Sequence, residues 1–159
     1  MRLEKILLII SILFLFSCKN ENNDFITEWK VKRFPYSNGT LTLLKNHKFE
    51  YKESEHLSNS FSNGLWNNIN DTLILNSEKP NECYYITDFS LNKKLKESKP
   101  GEINLPETTL KNCKPKIENK YFVEFLNSKF IIKKDSLIFL NLNKEYEKKY
   151  GNFKIYKNR

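Results

Sequence analysis

The sequence predicts an all-β fold, a small antiparallel up-and-down barrel or a barrel-like sandwich with one or two short helices. Three observations carry this. Apolar and aromatic residues alternate with polar ones at period two in about nine or ten short stretches. Gly, Asn and Asp punctuate the intervals between the stretches. The 159 residues include 12 Phe and 8 Tyr but no Ala or Gln, which disfavours long helices and suits strands.

The elements follow in chain order. Phe25, Thr27, Trp29 and Val31 share one face of a first strand. Ser37-Asn38-Gly39 reads as a turn, followed by Leu41 and Leu43. The polar turn 45–48 leads to Phe49 and Tyr51. Asn63-Gly64 reads as a further turn between Phe61 and Leu65-Trp66. Leu73 and Leu75 alternate next, then Cys83, Tyr85, Thr87 and Phe89. Residues 97–119 hold three prolines and read as a long connection, which in a compact domain is either functional or mobile. Tyr121, Val123 and Phe125 follow, then Phe130 and Ile132, Leu137 and Phe139, and finally Phe153 and Ile155. Two stretches carry helical spacing. Residues 88–97 place Leu91 and Leu95 at i,i+4; residues 143–150 do so with Tyr146 and Tyr150, between an Asn143 N-cap and Gly151.

Composition excludes several classes. Four glycines rule out collagen-like sequence and Gly-rich linkers. The aromatic content argues against wholesale disorder. The formal charge of +8 comes almost wholly from lysine, only Arg2, Arg33 and Arg159 being arginine. Nucleic-acid sites favour the bidentate arginine fork, so the lysines read as a solvated surface and no nucleic-acid partner is expected.

The N-terminus assigns a compartment. Arg2 and Lys5 precede an apolar run over residues 6–16, broken only by Ser11. The run is too short to span a bilayer and has the length of a signal-peptide h-region. It ends Leu15-Phe16-Ser17-Cys18, which resembles a bacterial lipobox. The resemblance implies export, cleavage before Cys18, and fatty acylation there with palmitate-type chains, several of which anchor stably. Residues 1–17 are then a lipoprotein signal peptide, 18–24 the lipidated Cys and tether, and 25–159 the domain. Without residues 1–17 the charge falls to +7, since Arg2, Lys5 and Glu4 leave with them. Lys19 followed by acidic residues resembles a surface-export signal of Bacteroidetes lipoproteins. The location implied is the cell envelope of a Gram-negative bacterium, anchored in the outer membrane. With Cys18 acylated, Cys83 and Cys113 remain in an oxidising compartment and form a candidate disulfide. Buried free thiols are the alternative.

Trp29 within Thr-Glu-Trp-Lys-Val, Phe49-Glu-Tyr51, and Gly64-Leu-Trp66 leading through Asp71 to Leu75 are similar to small lipocalin-like lipoproteins of the Bacteroidetes. The resemblance covers about residues 25–76, although no Gly stands two residues before Trp29. It implies a lipocalin-like β-barrel over 25–159. The candidate interior or ligand-facing residues are Trp29, Phe49, Tyr51, Trp66, Leu73 and Phe139, and a barrel of eight strands either fills with side chains or holds one small ligand.

Catalytic motifs are missing: there is no Gly-x-Ser-x-Gly, phosphate-binding loop or His-Glu-x-x-His. Glu53, Glu55 and His56 could be drawn as a metal site, or Ser54 and His56 as a nucleophile pair, but nothing marks an oriented base or an oxyanion site, and solvated loop residues are the better reading. Asp71 and Asp135 fall where hairpin turns favour Asp. The expectation is a non-enzyme without metal or cofactor. Its role is to bind a small apolar ligand in or at the mouth of the barrel. The alternative is a protein-interaction module, such as an inhibitor, an immunity-type protein or an envelope assembly accessory.

Overall fold

The computed structural model describes residues 23–92, 109–110 and 113–158. Cys18, the signal segment and most of the 97–119 connection lie outside the described residues. A 3₁₀ turn, Asn23–Phe25, leads into ten strands: β1 (Glu28–Lys32), β2 (Ser37–Leu43), β3 (Lys48–Glu55), β4 (Ser58–Ile69), β5 (Thr72–Ser77), β6 (Tyr85–Asp88), β7 (Lys120–Glu124), β8 (Ser128–Lys133), β9 (Ser136–Phe139) and β10 (Lys154–Lys157). One helix, α1 (Lys144–Tyr150), precedes β10.

Eight strands close a barrel in the order β1-β2-β3-β4-β5-β8-β9-β10, with β10 pairing back to β1. All its neighbours are antiparallel. The fold is therefore the small all-β, lipocalin-like barrel with a short helix. It departs from a plain meander at one place. Between β5 and β8 the chain leaves the barrel, and β7 pairs parallel to the first half of β4 with β6 parallel beyond it. Two parallel strands require a long connection between them, and the proline-bearing segment occupies that interval.

Two glycines read from sequence as turns lie inside strands. Gly39 belongs to β2, where a Cβ would sit 3.1 Å from the Val31 carbonyl and 3.3 Å from the Tyr51 hydroxyl. Gly64 is mid-β4, where a Cβ would come within 2.1 Å of the Asn76 carbonyl oxygen. Both positions need absent bulk, and neither has a positive φ. The true first turn is 34–36. Ser37 fixes it, because its Oγ accepts from the Arg33 and Phe34 amides. Phe25 and Thr27 also fall before β1; Phe25 still packs in the core from the 3₁₀ turn.

The helix at 143–150 forms as its caps require. Asn143 Oδ1 accepts from the Glu145 and Tyr146 amides, satisfying donors that a helix start leaves open. Gly151, at φ 80°, closes the other end by donating to Glu147 O. The stretch at 88–97 differs: Asp88 ends β6 and Ser90 is in a turn, while its last residues are outside the described set.

Candidate functional site

The strand directions give the barrel two unlike ends. The proximal end carries the 3₁₀ turn and the hairpin turns near His47, Asp71 and Asp135. The distal end carries the 34–36 turn, the His56-Leu57 hairpin, the start of β8 and α1.

Trp29 and Trp66, two of the candidate interior residues, sit together at the proximal end. Trp29 is fully buried and donates from Nε1 to Phe25 O at 3.1 Å. Trp66 donates from Nε1 to Leu44 O at 2.9 Å and meets Phe25 edge-on, with the His47 ring 4.5 Å from its own. Both polar handles are satisfied by backbone, which is a packing arrangement.

Phe49, Tyr51, Leu73 and Phe139 all face the lumen and are buried. The lumen they line is occupied. Phe89, just past β6, and Phe125, just past β7, enter from the distal end. Phe125 meets Phe49 and Tyr51 at 5.2 and 5.3 Å between ring centroids. Phe89 meets Tyr51, Phe130, Phe139 and Phe153 at 5.0 to 5.8 Å. Hydrogen bonds hold this plug: Phe125 N donates to the Ser77 side-chain Oγ, Ser77 N to Phe125 O, and Phe89 N to Glu124 O. The alternation alone places both phenylalanines in strands. Nothing in that pattern marks a side chain that crosses into a barrel to which its strand does not belong.

A buried ion pair lies at the distal mouth, beneath α1. Arg33 Nη1 meets Glu53 Oε2 at 3.0 Å, with side chains only 3% and 4% exposed. The guanidinium lies over Phe34, Phe89 and Phe153 at 4.9 to 5.6 Å, and Nη2 donates to Asp88 O at 3.4 Å. Tyr51 packs against both charges. Burial pushes its hydroxyl well above the ordinary tyrosine range; the Arg33 charge opposes this and Glu53 reinforces it. Burial pulls Arg33 down, but the fields of Tyr51 and Glu53 outweigh it and leave the guanidinium raised. The Arg33 Nε, Glu53 Oε1 and Tyr51 hydroxyl atoms make no hydrogen bond of good geometry. Tyr146 of α1 closes over the site by donating to Arg33 O at 2.9 Å.

The residues drawn from sequence as a metal or nucleophile group do not assemble. Glu53 is committed to Arg33. Ser54 is exposed on the opposite face of β3, and His56 sits exposed in the hairpin at φ 46°, its ring 5.4 Å from that of Tyr36. Among the described residues no three His, Cys, Asp or Glu side chains could hold a metal ion. Cys83 and Cys113 are joined, Cα atoms 6.1 Å apart, tying the start of β6 to the segment before β7.

The distal rim carries exposed apolar side chains at several loop tips: Tyr36 (72% exposed), Leu57 (86%), Leu126 (75%) and Tyr150 (63%). A separate groove of about 360 Å³ runs between β9 and β10, lined by residues 136–138 and 152–156. These strands register only at Tyr156 and Ser136.

No protein-family model matches the chain, and neither the curated proteins nor the solved structures include a match.

Proposed function

We propose that this chain is a lipid-anchored envelope lipoprotein acting, without catalysis, as a protein-interaction module. One observation carries the reading. The barrel lumen is filled by the chain's own Phe89 and Phe125, while the distal rim exposes Tyr36, Leu57, Leu126 and Tyr150. A carrier of small apolar ligands needs room where the two rings lie. An interaction surface needs exposed anchors of the kind found on the rim, aromatic ones above all.

The lipobox-like end at Cys18 supports the anchored part of the reading. The described chain begins at the proximal end, so a tether from Cys18 leaves the distal rim pointing away from its attachment. The compartment also suits the Cys83–Cys113 bond.

The experiment is site-specific photo-crosslinking in the host. A photoreactive residue at Leu57 or Tyr36 is expected to give a defined protein adduct; the same residue at the proximal Ile69 gives none. Absence of rim adducts, with a small molecule co-purifying instead, overturns the reading. Replacing Cys18→Ser tests the anchor separately: continued membrane partitioning after export would refute acylation.

A further inference from the structure

The outer wall of the barrel is charged unevenly. On β4 and β5 the outward residues are Asn63, Leu65, Asn67, Ile74 and Asn76, none of them charged. Around β1, β10 and β8 they include Lys30, Lys32, Lys154 and Lys133, all exposed, with Glu28 at the start of β1 as an acid on the same face. Lys32 stands directly opposite Lys154 across the β1–β10 ladder, and Lys30 opposite Tyr156. Like charges facing each other across a strand pair are destabilising, and an acid at either position would remove the cost. None of the four lysines has an ion-pair partner among the described residues. Tyr156 and Ile138, each more than a third exposed, rise between them beside the β9–β10 groove.

We propose that this wall docks side-on against an anionic membrane surface, resting on the anchored reading of Cys18. Three features fit that occupant. Uncompensated lysines spread over several strands match a diffuse field of headgroup charge. A tyrosine with an apolar body and a polar tip suits the headgroup layer. The described chain also begins beside the end of β10: Asp24 pairs with Lys157 at 3.1 Å at the proximal mouth, where Lys157 lies over the Trp29 ring. Six residues from Cys18 to Asp24 reach about 20 Å at most, so the lysines stay close to the bilayer. Docked this way, the barrel keeps its distal rim free at one end, within reach of a partner at the same membrane.

The test uses the full chain reconstituted in vesicles, with intact mass reporting acylation. One set is phosphatidylcholine alone and the other is enriched in phosphatidylglycerol. Amine labelling, read peptide by peptide, is expected to fall roughly fivefold at Lys30, Lys32 and Lys154 on the anionic vesicles. It should stay level at Lys144, Lys148 and Lys149 of α1, and the protection should vanish in high salt. The exposed-site variant Lys30→Glu, Lys32→Glu, Lys154→Glu should leave Lys133 labelled alike on both vesicle types. Equal labelling of the wall on both vesicles, in a chain that carries its acyl mass, overturns the docking and leaves the anchor standing. Protection by soluble polyglutamate but not by phosphatidylglycerol also overturns it, in favour of an acidic polypeptide. If the acyl mass is missing, the anchor reading fails by itself. Docking is then read by salt-sensitive flotation with the anionic vesicles, and failure to float overturns it.

Discussion

Phe89 and Phe125 stack inside the barrel with ring centroids 4.3 Å apart. Neither belongs to a barrel strand; each is delivered by the β6–β7 excursion. The pair therefore joins two parts of the fold, the closed barrel and the lateral strands, into one core. Truncating either ring to alanine should cost about 3–5 kcal/mol, the range for buried phenylalanine. Denaturant unfolding of Phe89→Ala and Phe125→Ala measures it. Because the rings touch, the double variant should depart from additivity. It should also admit a benzene-sized apolar probe that the native chain excludes.

The Arg33–Glu53 pair predicts an asymmetric response. Breaking it from one side, as in Glu53→Leu, strands a charge in the core and should cost about 3–5 kcal/mol. Replacing both, Arg33→Met with Glu53→Leu, should recover most of that loss, since buried pairs often gain little over apolar packing. Thermal unfolding of the three proteins decides between this and a pair that stabilises outright.

Tyr51 gives a pH prediction. Its folded-state pKa is raised by burial, so the unfolded chain loses this proton first. The stability linked to Tyr51 is complete below the unfolded tyrosine value, about 10. It declines as pH rises above that value toward the higher folded one. Tyr84, Tyr121 and Tyr146 are raised as well and add to the same alkaline limb. Replacing Tyr51→Phe should make the fall in melting temperature above about pH 10 shallower without removing it. An unchanged slope would mean that Tyr51 ionises equally in both states.

The Cys83–Cys113 bond ties the excursion at its base. Its separation of 30 residues corresponds to about 3.6 kcal/mol in the chain-entropy model. Cys83→Ser with Cys113→Ser should speed amide exchange in β6 and β7 well before the barrel strands β2 and β3 respond. Uniform acceleration across all strands would show that excursion and barrel open as one unit.

How much of this was legible in the sequence depends on the kind of contact. The alternation at Trp29, Leu41, Phe49, Leu73 and Phe139 reports local burial, and all five are in the core. Asn143 and Gly151 mark helix ends through short-range chemistry, and the helix lies between them. Gly39 and Gly64 suggest turns but lie in strands, because a glycine signals missing bulk without saying whether a turn or a neighbouring strand requires it. The parallel pairing of β7 with β4, and with it the filled lumen, is a long-range relation between Phe61 and Phe122. No local period encodes that relation. Arg33 and Glu53 are likewise 20 residues apart, and sequence offered no reason to pair them.

Native mass spectrometry of the full chain extracted from its host membrane tests the central claim most directly. A lumen filled by Phe89 and Phe125 predicts an acylated chain with no small apolar adduct, in a defined protein complex that Leu57→Asp dissolves. A stoichiometric small apolar molecule bound to the chain, retained in Leu57→Asp and lost when bulk is added at the lumen by Leu73→Phe, would contradict it.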